Sequence, residues 1–122
     1  MTIISRIRLL AGSALLALSI AIAGVIEDAQ KLVSDGKFDD AITLLEKSDA
    51  KKPAIAKALA TAHLAKADYF MANPTELPMR KYPVALREYR KVVVYDKTNR
   101  RAQDSVRMIE DIYRRMGREI PK

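Results

Sequence analysis

The chain offers one histidine, His63, and no cysteine. Without cysteine there is no disulfide framework, thiolate metal site, cysteine nucleophile or lipid anchor through an N-terminal Cys. His63 falls on the apolar face of a segment carrying Ile55, Leu59, Ala62, Leu64 and Ala67. Its expected role is therefore packing, because a metal site needs several converging ligands and none lies at ligand spacing from it. Asp39-Asp40 and Glu110-Asp111 are adjacent pairs in helical segments. Neighbouring helix side chains diverge by about 100°, so these carboxylates are expected on solvated surface rather than as an acid/base pair. The four glycines are scattered, and no phosphate loop, nucleophile elbow or dinucleotide fingerprint occurs. The residues imply a non-enzymatic protein without cofactor or metal.

Charge is the next chemical signal. The 122 residues carry a formal net charge of +7. Residues 24–79 hold seven Lys against nine Asp or Glu, net −2, and residues 80–122 hold thirteen Lys or Arg against six acids, net +7. Arg6 and Arg8 supply the remainder. A neutral-to-acidic half followed by a basic half can orient a partner, although charged helix faces also serve simply as solvated surface.

The elements that must position these residues begin with an export segment. Arg6 and Arg8 precede an uncharged apolar run from Leu9 to Ile26, with small residues at Ala21 and Ala23. A basic start, an apolar run and an A-x-A exit form a secretory signal with a cut expected after Ala23. The alternative is an uncleaved signal anchor. Eighteen residues at about 1.5 Å each give about 27 Å, enough for a thin hydrocarbon core. In both cases the basic residues stay inside and the rest of the chain is exported, to the periplasm or to the outer face of the cytoplasmic membrane. Export makes nucleic acid an unexpected target for the basic half and favours anionic lipid, an envelope polymer or an acidic protein segment.

Residues 24–122 form one small domain of helical composition, rich in Ala, Leu, Lys, Arg and Glu. Ile26, Ala29, Leu32 and Val33 recur at helical spacing and stop at Asp35-Gly36, a C-terminal glycine signal. Phe38, Ala41, Ile42, Leu44 and Leu45 mark a second helix. Pro53 suits the first turn of a third, which continues to about Met71. Pro74, Pro78 and Pro83 predict a loop over 72–83, and its Leu77 and Met79 are expected to lie against the helices. A fourth helix follows from Pro83 and includes Val92-Val93-Val94 despite their β preference. Thr98 or Asn99 caps a fifth, with Ala102, Val106, Ile109, Ile112, Tyr113 and Met116 on its apolar face, ending at Gly117. Tyr69, Tyr82, Tyr89 and Tyr113 are expected in the core with hydroxyls reaching the surface.

The helix pairs resemble the tetratricopeptide repeat, a 34-residue helix-turn-helix unit that stacks into a right-handed α-α solenoid. Gly36-Lys37-Phe38-Asp39-Asp40-Ala41-Ile42-Thr43-Leu44-Leu45 is similar to that family's turn glycine, turn aromatic, small alanine and hydrophobic pair. Leu59-Ala60, His63 and Ala67-Asp68-Tyr69 resemble a second copy, interrupted by the proline-rich insertion and resumed at Tyr82-Pro83-Val84-Ala85 through Tyr89. Asp96-Lys97-Thr98-Asn99 resembles a repeat ending, and the last helix resembles the first half of a third copy. The resemblance implies an all-α solenoid of about 2.5 helical hairpins behind an N-terminal hydrophobic helix.

In that family the first helix of each repeat lines a groove. The resemblance implies Gln30, Ser34, Lys57, Thr61, Arg107, Asp111 and Arg114 as partner-binding residues. The leading expectation is a non-enzymatic protein–protein interaction module, an adaptor or scaffold in the bacterial cell envelope. A second is a single-span accessory subunit of a larger membrane complex, docked by the N-terminal helix. A third is a basic peripheral binder of anionic lipid or envelope polymer, with salt-sensitive binding. Exposed end faces also leave room for self-association.

Overall fold

A computed structural model describes the backbone of residues 2–122 and the side chains from Ala14 onward. Arg6, Arg8 and residues 9–13 of the apolar run therefore lie outside the described side chains. Five helices make up the fold: α1 Thr2–Ser34, α2 Phe38–Glu46, α3 Pro53–Ala72, α4 Pro78–Tyr95 and α5 Arg100–Arg115. The architecture is all-helical, with no strand among the described residues.

Each helix packs on the next in the chain, and α1 also packs on α3. Ala29 of α1, Ala41, Ile42 and Leu45 of α2, and Ile55, Leu59 and Ala62 of α3 form one apolar cluster. Ala60 and Ala67 on another side of α3 join Ala85, Leu86, Tyr89 and Val92 of α4 with Ala102, Ile109 and Tyr113 of α5 in a second. Helix α3 is thus buried on two sides and holds the halves together. Alanine recurs at these positions because a small side chain lets helix backbones approach closely while still excluding water.

Helix α1 runs without interruption through the expected cut at Ala23, with Ile22 and Val25 packed against the first cluster. The apolar run and the first amphipathic segment are one helix because no proline separates them, and Gly24 alone does not break it. Beyond the packed part, Leu15, Leu16, Leu18 and Ile20 are exposed. Among the described residues no helix is long and apolar enough to cross a membrane.

The glycine stops behave as expected. Gly36 has φ +75°, its N–H donates to Val33 O, and the Lys37 N–H donates to Leu32 O. That pair of bonds closes a Schellman cap, which needs a left-handed residue. Gly117, at φ +64°, closes α5 in the same way through Arg114 O and Tyr113 O. A Cβ added at Gly36 meets nothing within 4 Å, so its cost is backbone strain alone. Gly36→Ala is expected to lower unfolding stability by about 1 kcal/mol, read from the urea midpoint at unchanged slope. At the start of α5 the choice falls on Asn99, whose Oδ1 accepts the Ala102 N–H at 3.0 Å.

Three expectations need correction. The proline-rich loop is only residues 73–77, because α4 starts at Pro78 and carries Pro83 inside it. Pro78 takes the first helical position, where a missing N–H costs nothing. Pro83 leaves the Met79 carbonyl without its helical donor, but Met79 stands in the exposed first turn, where water can serve that oxygen. Leu77 and Met79 do not pack on the helices; they are 71% and 73% exposed. The short loop is held by its own polar bonds instead, with Asn73 Oδ1 accepting from the Thr75 N–H and hydroxyl. Tyr69 is not core either but lies 54% exposed, its ring beside Phe38 and Phe70.

Candidate interaction groove

Helices α1 and α3 lie side by side with Leu45 of α2 below them, leaving an open cleft of about 440 Å³. Ile26, Ala29, Val33, Leu45 and Ala58 form its apolar floor and wall, and Gln30, Ser34, Lys57 and Thr61 stand around it. The 3.6-residue period explains the grouping. Residues 26, 29, 30, 33 and 34 share one face of α1, and 54, 57, 58 and 61 share one face of α3. Ser34 Oγ donates to Gln30 O and Thr61 Oγ1 to Lys57 O, both at 3.0 Å. Those hydroxyls therefore present acceptor lone pairs outward. No hydrogen bond among the described residues uses the side-chain donors of Gln30 or Lys57, so a bound chain would meet both donors and acceptors over an apolar floor.

Four of the seven sequence-derived groove residues thus converge. The other three do not join them. Arg107 and Asp111 line a separate hollow on α5 of about 400 Å³ with Asp104, Met108, Ile112 and Arg115. Arg107 is paired with Asp104 on its own helix, and Arg114 is held by Asp111 at 2.5 Å and Glu110 at 3.8 Å. Arg101 is bound to Asp68 at 2.5 Å, and Arg90 donates to Pro121 O at 2.7 Å. Much of the basic charge of α4 and α5 is already matched within the fold.

Behind the cleft lies a polar group that sequence reasoning missed. His63 on α3 and Glu88 on α4 are both buried, with His63 Nδ1 2.6 Å from Glu88 Oε2. An ionised carboxylate only accepts, so Nδ1 carries the proton of this bond. Lys66 Nζ lies 3.4 Å from Glu88 Oε1 and 2.6 Å from Asp39 Oδ1, tying α2, α3 and α4 together. Tyr95 stacks on the His63 ring at 5.7 Å, and Nε2 has no partner among the described residues. Burial works to raise the Glu88 pKa, but the His63 hydrogen bond and the nearby positive charge of Lys66 and His63 outweigh it and hold the carboxyl below 4.5. The signal for Glu88 was present: it interrupts the stripe Ala85, Leu86, Tyr89, Val92 at a position that must face the core. Among the described residues no group of three or more His, Cys, Asp or Glu is placed to hold a metal ion.

A second polar contact links α3, α4 and α5. Tyr89 donates to Asp68 Oδ1 at 2.7 Å, and Arg101 clamps the other carboxylate oxygen. Burial, then the hydrogen bond to the Asp68 carboxylate and its charge, push the Tyr89 phenol up to about 12. The folded pKa is raised from 10.0, so the neutral phenol favours the fold below pH 10 and that contribution is lost between pH 10 and about 12. Ultraviolet titration is expected to show a late-titrating phenol that is absent in Tyr89→Phe. The spatial link could not be read from the chain, because it depends on how α3, α4 and α5 pack against one another.

Comparisons with family models, with curated proteins and with solved structures find no match for this chain.

Proposed function

We propose that the protein is a non-enzymatic interaction module of the cell envelope that holds an extended or helical segment of a protein partner in the α1/α3 cleft. The observation that supports this reading is the cleft itself: an apolar floor ringed by Gln30, Ser34, Lys57 and Thr61. A floor of this kind gains free energy by shedding water, while unspent polar groups at the rim fix register. The sequential packing of α1 to α5, with α1 against α3, is consistent with two stacked hairpins and the opening helix of a third. That supports the tetratricopeptide-like solenoid as its architecture.

Lys57→Ala is expected to weaken capture of the partner about fivefold, close to 1 kcal/mol, with unchanged circular dichroism. Arg107→Ala and Arg114→Ala are expected to have smaller effects, because their guanidinium groups are already paired on α5. Capture indifferent to Lys57→Ala would remove the cleft from the binding surface.

The continuity of α1 favours a second reading within the first, that the export segment is retained as an anchor. Ile22, before the expected cut, and Val25, after it, pack on the same core cluster. Removing the chain up to Ala23 would strip Ile22 from that cluster. Intact-mass measurement of the native protein decides between the forms: a chain beginning at Gly24 excludes the anchor, and an uncut chain in the membrane fraction supports it.

A further inference from the structure

The turn between α2 and α3 meets α1 where its apolar run leaves the domain. Ser48, Asp49 and Lys52 of this turn face Leu18, Ile22 and Val25 across a shallow hollow. Lys47, Lys51 and Lys52 make the turn basic; Asp49 accepts the Lys51 backbone N–H at 2.9 Å, and Glu46 is the other nearby acid. At this level and past it Leu15, Leu16, Leu18 and Ile20 are exposed. At about 100° per residue they stand at about 0°, 100°, 300° and 140° around α1. Apolar residues on all sides of a helix suit a bilayer, whereas a single partner groove covers one stripe.

Length then fixes where the domain must sit. From Leu9 to Ala21, short of the residues packed on the core, the uncharged run is thirteen residues, and its last four already stand beside the turn. That is about 20 Å at 1.5 Å per residue, against a hydrocarbon core of about 30 Å. So short a span is accommodated by local thinning and by flanking cations that reach outward to the headgroups. The α1 helix is unbroken across the boundary, so no linker lifts the domain away from the surface.

We propose that the α2–α3 turn is a membrane-contact element, with Lys47, Lys51 and Lys52 seated among anionic lipid headgroups on the outer face of the bilayer that α1 enters. This inference rests on the anchored form of the protein. The contact would fix the orientation of the domain, because a helix and a turn beside it give two points of attachment.

The absence of cysteine allows single reporters in the full chain reconstituted into vesicles. Leu16→Cys carries a fluorophore that reports the anchor, and Ser48→Cys one that reports the turn. In vesicles containing phosphatidylglycerol, both are expected to be shielded from a water-soluble quencher, the turn less so. Lys47→Gln, Lys51→Gln and Lys52→Gln together should raise quenching at position 48 at least threefold and leave position 16 unchanged. In purely zwitterionic vesicles the parent chain should already show that raised quenching at position 48. A water-exposed position 48 beside a lipid-buried position 16 would overturn the membrane contact and leave the anchor standing. Equal shielding in both lipids would overturn the role of anionic headgroups. A water-exposed position 16 would overturn the anchored form itself.

Discussion

Replacing Glu88 with alanine is expected to lower the free energy of unfolding by about 3–5 kcal/mol, the range for losing one partner of a buried ion pair. The carboxylate is the shared acceptor for His63 at 2.6 Å and Lys66 at 3.4 Å, with exposed Arg87 also at 3.4 Å. Without it, His63 keeps both ring nitrogens in the core with nothing to bond, since Nε2 is already without a partner among the described residues. Glu88→Gln keeps the shape and an acceptor oxygen, so about half that loss is expected. Asp39→Ala should cost well under 1 kcal/mol, because its carboxylate is 78% exposed. Acid should reproduce part of the Glu88 effect. The folded pKa lies below 4.5, so the folded state binds fewer protons than the unfolded one. The contribution is complete above pH 4.5 and is lost as pH falls through the lower folded value. Urea titrations of the parent chain and Glu88→Gln should therefore converge on acidification over that window. A constant difference between them would contradict ionised Glu88 in the core.

Leu86→Ala is expected to cost about 3 kcal/mol, within the usual range for a buried leucine. Leu86 is fully buried in the cluster that joins α3, α4 and α5. The cluster is rich in alanine, with Ala60, Ala67, Ala85 and Ala102, which have no flexible side chain to move into vacated space. A small domain has about 5–10 kcal/mol in total, so the variant should remain folded at room temperature but unfold at a clearly lower urea concentration. Leu77→Ala, on the exposed loop, should change the urea midpoint by less than about 0.5 kcal/mol equivalent. The contrast separates a packed leucine from an exposed one a few residues away in the same chain.

Most helix ends were legible in the sequence because they depend on local chemistry, although the apolar run and the first amphipathic segment, expected as separate elements, form the single helix α1. Glycine at 36 and 117, proline at 53 and asparagine at 99 act within one turn of their own position. The start of α4 differs from the expected one because Pro78, weighed as part of the loop, opens the helix, and Pro83, expected to open it, lies inside at the cost of one bond near a hydrated end. Tyr69 and Leu77 were misplaced for a different reason. The exposure of Tyr69 depends on which side of α3 faces α4, and that of Leu77 on how the loop before α4 lies, and spacing alone decides neither. Gln30 and Ser34 share one face of α1, and Lys57 and Thr61 one face of α3, which is why these four line the same cleft. Arg107 and Asp111 line a different hollow on α5, and Arg114 is paired with Asp111 and Glu110 on the same helix. The His63–Glu88–Lys66 group depends on the register of α3 against α4 and α2, which no local pattern records.

The most direct measurement is occupancy of the α1/α3 cleft in the native envelope. A photoreactive residue at Thr61, on the cleft rim, should give a discrete cross-linked partner on illumination. The same residue at Lys91, on the exposed side of α4, should not give that product. Ala54→Trp places an indole across the cleft from a position that is exposed on α3, and should reduce the Thr61 adduct at least tenfold without loss of helicity. A Thr61 adduct undiminished by Ala54→Trp, or one matched in identity and yield from Lys91, would contradict binding in the cleft.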